Sequence, residues 1–257
     1  MKIIESASAF QAWRSSVPEH HLIGLVPTMG ALHMGHASLI QASDRENDTT
    51  VVTIFVNPTQ FNQASDFEKY PKTWETDLAL CEKYGADVIF APKSREEIYP
   101  DHYHYRVNEN TLSNTLCGEF RPGHFEGVLT VVMKLLNLTL AHRAYFGEKD
   151  HQQLMLIEGM VKAFFLKTEI IPCPIIREHS GLAMSSRNLR LSANDLKIAP
   201  KLYEVMTTEK DIETAKKKLE SLGFKVEYLV DQIHAEQKRR YAAAWLSEVR
   251  LIDNVRI

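Results

Sequence analysis

Short apolar runs, each ended by a turn residue and followed by a stretch of helical period, recur along much of the chain. The first, Leu22-Ile23-Gly24-Leu25-Val26, reads as a buried strand that stops at Pro27. The chain then passes through Thr28-Met29-Gly30-Ala31-Leu32 to His33 and His36, where an apolar-periodic helix begins. The β-branched run Val51 to Val56 reads as a strand buried on both faces, ended by the turn-like Asn57-Pro58-Thr59-Gln60-Phe61-Asn62. A helix is predicted from about Thr73 to Tyr84, stopped by Gly85, then a third strand from Asp87 to Ala91, halted by Pro92. Strands alternating with helices imply βαβ units and a mainly parallel sheet, whose ligands gather at the carboxyl ends of the strands. The turns beginning at Pro27, Asn57 and Pro92 are therefore expected on one edge.

Residues 93–125 are irregular, a long excursion of the kind that often carries function. An apolar helix is predicted from about Glu126 to Ala141, with a stripe broad enough to be central and buried. Ala144-Tyr145-Phe146 leads through the charged turn Gly147-Glu148-Lys149-Asp150 into another helix near His151. Glu169 to Ile176 is extended but interrupted by prolines, which demote a central strand and suggest a boundary. Beyond it come the polar loop Gly181 to Asn188, a charged helix from about Asp211 to Leu222, and a strand from Phe224 to Val230.

Of 257 residues, 44% are hydrophobic and 25% charged, with a net charge of −3. That composition is ordinary for a globular protein with room for one large or two modest domains. Lys and Arg are spread along the chain, so bulk electrostatics predict neither nucleic-acid nor membrane binding. Cys81, Cys117 and Cys173 are odd in number and far apart, and read as buried structural thiols. Met1-Lys2-Ile3-Ile4-Glu5 lacks the apolar region of a signal peptide, and no run nears the ~20 apolar residues of a membrane span. A cytoplasmic location is expected.

A helix N-terminus aims unpaired N–H groups and a partial positive charge outward, so the turn before His36 suits phosphate. His33 and His36 can share a helical face, a spacing open to a metal site, to two structural histidines, or to imidazole contacts with phosphate. No Glu follows the first histidine and no acidic cluster adjoins, which favours phosphate. Neither a G-x-x-x-x-G-K-[ST] loop nor the paired-glycine dinucleotide fingerprint is present. The hydroxyls and arginine of the 181–188 loop also suit phosphate.

His33-Met34-Gly35-His36 resembles the His-x-Gly-His signature of the nucleotidyltransferase and class I aminoacyl-tRNA synthetase superfamily. In order along the chain stand Pro27-Thr28-Met29-Gly30-Ala31-Leu32, Phe55-Val56-Asn57-Pro58, Gln60-Phe61, Arg121-Pro122-Gly123-His124-Phe125, Gly147-Glu148-Lys149-Asp150, Met184-Ser185-Ser186-Arg187-Asn188 and Arg250-Leu251-Ile252-Asp253-Asn254. Together they resemble the pantoate–β-alanine ligase (pantothenate synthetase) family. The resemblance implies an α/β protein with a Rossmann-like parallel-sheet domain over residues 1–175 and a small C-terminal α+β lid domain over 176–257. It implies ATP-dependent condensation of (R)-pantoate with β-alanine to pantothenate, AMP and diphosphate through a pantoyl adenylate. Mg²⁺ is implied with ATP, its ligands unassigned, and a homodimer is implied as well.

The same resemblance sets ATP against Met29, Gly30, Ala31, Leu32, His33, Met34, Gly35 and His36, and against Gly147, Glu148, Lys149 and Asp150. It adds the backbone of Ile176, at a strand end, and a third loop of Met184, Ser185, Ser186 and Arg187. Catalytic roles fall to His36 as proton donor, His33 as phosphate contact, and Lys149 as a point charge for phosphate. Gln60 and Gln153 hold pantoate, and Gln60 also lies where β-alanine enters; an amide donates and accepts without repelling a carboxylate. Tyr70 and Arg121 match positions near the site as either structural or contacting groups. Ser180 replaces the family's Asp before Gly-Leu-Ala, Ser65 replaces a common acidic residue, and the stretch from Val230 to Tyr241 is shorter than is typical. Two other readings are a cytidylyltransferase of the same superfamily, which would lack the paired glutamines, and a non-catalytic ATP-binding regulator, which would have lost a histidine or Lys149.

Overall fold

The computed structural model describes residues 1–62, 64–234 and 236–257, the side chains of Ala64 and Ser65 excepted, so the Ser65 substitution lies outside the described residues. Nine strands occur among them: β1 (Lys2–Ile4), β2 (Ile23–Thr28), β3 (Thr49–Ile54), β4 (Val88–Phe90), β5 (Arg143–Gly147), β6 (Glu169–Cys173), β7 (Phe224–His234), β8 (Gln237–Leu246) and β9 (Val249–Arg256). The helices are α1 (Ala7–Ser16), α2 (Met34–Glu46), α3 (Ala64–Glu68), α4 (Trp74–Lys83), α5 (Cys117–Phe120), α6 (His124–Thr139), α7 (His151–Ala163), α8 (Asp195–Ile198), α9 (Lys201–Thr208) and α10 (Ile212–Ser221). The chain divides into two compact units, one of residues 1–148 with 152–173, the other of residues 149–151 with 174–257.

The first unit is an α/β layer structure on a six-stranded sheet of order β1-β4-β3-β2-β5-β6, parallel throughout. Apart from edge strand β1, the winding runs from β2 outward to β4, then returns past β2 to β5 and β6. The reversal lies between β2 and β5, where a doubly wound sheet holds its ligand. Val26, Val52, Ile89 and Tyr145 pack with Leu39 and Ile40 of α2 and Cys81 of α4. Alternate strand residues point the other way, where right-handed crossovers put α6, packed against α1 and β2.

Several boundaries differ from the sequence reading. β2 does not stop at Pro27 but runs to Thr28, with Pro27 opposite Thr53. The missing N–H is tolerated because pairing with β5 ends at Leu25. The predicted helix at 126–141 begins and ends two residues earlier, behind Gly123 in a left-handed conformation. β6 carries Pro172 as an edge strand, as its prolines require. Cys81, Cys117 and Cys173 are buried free thiols, and burial pushes Cys81 up to about 12 and Cys173 to about 11.

The second unit sets α9 and α10 on the antiparallel sheet β7-β8-β9 around Leu202, Val205, Met206, Leu219, Ala242, Ala244 and Leu251. The short stretch from Val230 to Tyr241 is a directly paired hairpin, whose ladder runs from Val230↔Tyr241 to His234↔Gln237. β7 is therefore longer than the Phe224 to Val230 segment that its apolar residues mark. Buried Arg240 is kept charged within the apolar sheet by Asp231 at 2.7 Å and by the carbonyls of Met206, Glu209 and Lys210. Among the described residues no helix is long and apolar enough to cross a membrane.

Two ion pairs, Arg106 with Glu126 and Asp101 with Lys134, tie the irregular segment after β4 to α6. Lys134 holds Asp101 at 2.6 Å and lies 5.3 Å from the centre of the Tyr99 ring. The hydrogen bond from Lys134 keeps the Asp101 carboxyl at about 2. A depressed folded pKa gives stability that is complete above the ordinary aspartate value of about 4 and is lost as pH falls through the folded value. Asp101→Asn should therefore lose less stability than the parent chain on acidification from about pH 4 to about pH 2, read by thermal melting. Parallel acid profiles would show that the pair contributes nothing.

Candidate functional site

The turn after β2 is bonded inward. Gly30 and Ala31 take φ of +81° and +51°, a reversal that aims two successive amides at Asp77 in the first turn of α4. Asp77 Oδ2 accepts from Ala31 N at 3.0 Å and Oδ1 from Leu32 N at 2.7 Å, and the Thr73 hydroxyl donates to Oδ1 at 3.0 Å. This carboxylate is only 2% exposed. The Tyr70 hydroxyl donates to the Gly30 carbonyl at 3.4 Å, so Tyr70 supports the turn from behind.

His33 is the N-cap of α2, its Nδ1 accepting from Gly35 N at 3.1 Å, while His36 Nδ1 accepts from His33 N at 3.3 Å. The two imidazoles thus form a reciprocal capping box, a task usually done by Ser or Thr with Glu or Gln. At this helix start the amides of His33 and Gly35 are engaged within the protein, as are those of Ala31 and Leu32 in the turn before it. The turn also carries two imidazoles fixed at Nδ1. An Nδ1 that accepts a backbone N–H carries no proton, so in each neutral ring the proton sits on Nε2. The ring centroids are 4.2 Å apart.

Gln60 ends the 3₁₀ turn Pro58–Gln60 that follows β3. Its carbonyl accepts from His124 Nδ1 at 2.8 Å and from Arg121 Nη2 at 3.3 Å. A guanidinium only donates, so the 3.0 Å contact from Arg121 Nη1 makes His124 Nε2 the acceptor. Arg121 therefore acts on the backbone that carries Gln60. The Gln60 side chain is oriented by Asn57, which is 1% exposed. Asn57 Nδ2 donates to the Gly127 carbonyl at 3.2 Å and to Gln60 Oε1 at 3.0 Å, while Oδ1 accepts from the Tyr99 hydroxyl at 2.8 Å. Each amide can then point only one way, and Gln60 turns its Nε2 outward, 3.0 Å from Met29 Sδ. Gly127 lets α6 reach this turn, since a Cβ there would lie 2.5 Å from the Thr59 carbonyl oxygen.

Gly147 ends β5, and Glu148–Asp150 form a 3₁₀ turn before α7. Lys149 Nζ lies 3.6 Å from Asp150 Oδ2. The neighbouring glutamines differ. Gln152 is buried and spends its amide on Cys117 N, Leu112 O and Thr115 O, pinning the irregular segment. Gln153 is half-buried, and among the described residues its side chain has no hydrogen-bond partner.

In the second unit, Arg177 and Ala183 form an isolated antiparallel bridge that leads into the third loop. Ile176 lies beyond β6 rather than at a strand end, and its carbonyl accepts from Met184 N at 3.0 Å. Ser185 caps the 3₁₀ turn Ser186–Arg190 by accepting from Arg187 N at 3.2 Å. Ser180 accepts from Leu182 N at 3.5 Å, doing weakly what an Asp would do there. Among the described residues no group of three or more His, Cys, Asp or Glu is arranged to hold a metal ion.

Sequence reasoning missed Asp77, Asn57, Tyr99 and His124 as supports of the site. An acidic residue in a predicted first helical turn reads as a solvated charge; only the fold brings Asp77 beneath residues 45 and 46 positions earlier. Asp77→Ala leaves two buried amides unsatisfied and should lower stability by about 2–4 kcal/mol in urea unfolding. A loss below about 0.5 kcal/mol, the level of an ordinary surface change, would refute the anchor.

The family model for pantoate-β-alanine ligase matches residues 2–256. Pantothenate synthetase of Bdellovibrio bacteriovorus is 51% identical over 256 residues, covering 100% of this chain and 99% of that protein. That of Legionella pneumophila is 48% identical over 254 residues, with 99% of each covered. Since these relatives match end to end, they share its short C-terminal part. The crystal structure of pantoate-β-alanine ligase from Francisella tularensis, complexed with β-γ ATP and β-alanine, superposes with a TM-score of 0.94 at 43% identity, covering 100% of this chain and 97% of that one. The pantothenate synthetase structure from Thermus thermophilus gives a TM-score of 0.89 at 37% identity, with 99% of each covered. In sequence and in fold alike, this chain belongs to the pantoate–β-alanine ligase family, enzymes that join pantoate to β-alanine at the expense of ATP.

Proposed function

We propose that this chain condenses (R)-pantoate with β-alanine in two steps through an enzyme-held pantoyl adenylate. The pantoate carboxylate attacks the α-phosphorus of ATP, forming the C–O–P link as the bond to diphosphate breaks. The uncharged amine of β-alanine then attacks the acyl carbon; AMP leaves, and the amide nitrogen loses its proton. The observation that carries this reading is the imidazole capping box. It occupies Nδ1 of His33 and His36 and leaves Nε2 as the N–H donor of each ring, which suits phosphate oxygens on which charge grows. His36 then acts as a hydrogen-bond donor through Nε2, its Nδ1 being occupied by the His33 amide.

Met29 to His36, Gly147 to Asp150, and Met184 to Arg187 with the Ile176 backbone are the three ATP contacts in this reading, with Lys149 and Arg187 supplying positive charge. Asn57 holds Gln60 so that it offers an N–H donor, apt for the carboxylates of pantoate and β-alanine. Gln153, with its amide unspent, serves the hydroxyls and carboxylate of pantoate, and Gln152 is excluded by its structural bonds. Mg²⁺ neutralises the nucleotide phosphates and comes bound to ATP, a role in keeping with its retention of several waters. The C-terminal part, residues 176–257, serves as a lid that keeps water from the adenylate. The enzyme works as a homodimer in the cytoplasm.

Incubated with ATP, Mg²⁺, pantoate and β-alanine, the protein should release AMP only when both acids are present; AMP release independent of either would overturn the assignment. His36→Gln keeps an acceptor for the His33 amide, as Gln does in ordinary capping boxes, but removes the outward donor. Its turnover should fall about 10²–10³-fold with unchanged melting, and near-parental turnover would refute the donor role. Gln153→Ala should raise the pantoate KM far more than the ATP KM; equal rises would make Gln153 structural.

A further inference from the structure

Two consecutive residues of β9 reach the bases of two loops assigned above to ATP. Asp253, 5% exposed, takes Arg177 in a fork, with Nη1 to Oδ2 at 2.6 Å and Nη2 to Oδ1 at 2.8 Å. The same guanidinium donates to the Gly181 carbonyl at 3.1 Å and lies 3.7 Å from the centre of the Tyr203 ring. Arg177 and Gly181 both belong to the bridged segment from which Met184 to Arg187 emerge. The paired charges and the ring therefore hold that segment against β9.

Asn254, 2% exposed, makes the second connection. Its Oδ1 accepts from Arg239 Nη1, and its Nδ2 donates to the Lys149 carbonyl at 3.0 Å. Because a guanidinium can only donate, Arg239 settles which way the Asn254 amide faces, and the NH₂ is left for Lys149. Lys149 lies in a single 3₁₀ turn, where a bond to its carbonyl restrains the backbone from which its ammonium extends. Residues 149–151 group with the C-terminal unit, and the 2.9 Å contact between His151 and the Tyr241 hydroxyl is a second tie to it.

We propose that Asp253 and Asn254 are positioning residues for ATP: adjacent on one strand, they hold the Lys149 turn and the Met184–Arg187 loop as a single body, so that the two cationic contacts are presented together. Neither residue touches substrate in this account, which rests on the assignment of both loops to ATP. Proximity of two phosphate ligands is worth more when their spacing is set before the nucleotide arrives.

The test uses Asn254→Asp, which keeps the acceptor for Arg239 and replaces the donor to Lys149 with an oxygen. ATP and pantoate KM values, and calorimetric binding of a non-hydrolysable ATP analogue to the free enzyme, are measured beside Asp253→Asn. In both variants the ATP KM and the analogue Kd should rise about tenfold, the scale of one hydrogen bond, with the pantoate KM within about twofold. Supplied pantoyl adenylate should still react with β-alanine at near the parental rate. Unchanged analogue affinity, or equal rises for ATP and pantoate, would overturn the proposal. If Asn254→Asp does not fold, Asn254→Ser is read by the same criteria. A parental enzyme that binds no ATP analogue would instead sink the loop assignment itself.

Discussion

A parallel sheet cannot be closed by hairpins, and that constraint organises the first unit. Each strand must be followed by a return crossing, so every strand-to-helix turn falls on the same edge. Because winding proceeds from β2 to β4 and then reverses to β5 and β6, the crossings diverge between β2 and β5. The turns after β2, β3 and β5, carrying the histidines, Gln60 and Gly147, are delivered to one edge by topology alone. Right-handed crossovers then decide which helices cover which face.

On that edge, rigidity comes from spending polar groups inward. Asp77 takes two amides and a hydroxyl, Asn57 takes two hydroxyls and an amide and gives two hydrogens, and His124 with Arg121 holds a carbonyl. Buried groups of this kind are costly when unmatched, so each completed set stabilises one arrangement over its neighbours. The two imidazoles and the Gln60 amide are each held by bonds at one end, at Nδ1 and at Oε1. A site built this way needs little reorganisation when charge develops on a substrate.

The second unit follows the same logic with charges. Arg177, Arg239 and Arg240 all lie in or against a small sheet, and each is met by a carboxylate, an amide or backbone carbonyls. A buried guanidinium without partners would be strongly unfavourable, whereas a matched fork adds direction to an otherwise apolar contact. The polar pair in Arg250-Leu251-Ile252-Asp253-Asn254 thereby has a physical reason.

Much was legible from the chain itself. Apolar runs punctuated by Pro and Gly disclosed strands β2 to β6 and their parallel sense, because burial on both faces leaves a continuous hydrophobic signature, while β1, β8 and β9 were not read from it. The motif residues also named the family. Polarity of individual groups was not legible: whether His33 offers a helix amide or an imidazole, whether Gln152 or Gln153 is spent, and that Asp77 lies under a turn far upstream. Those outcomes depend on hydrogen bonds between residues distant in sequence, and local periodicity carries no record of them. The sequence by itself determined most elements of the parallel sheet and the kind of chemistry; the tertiary structure decided the remaining strands and which polar atoms are consumed by the fold.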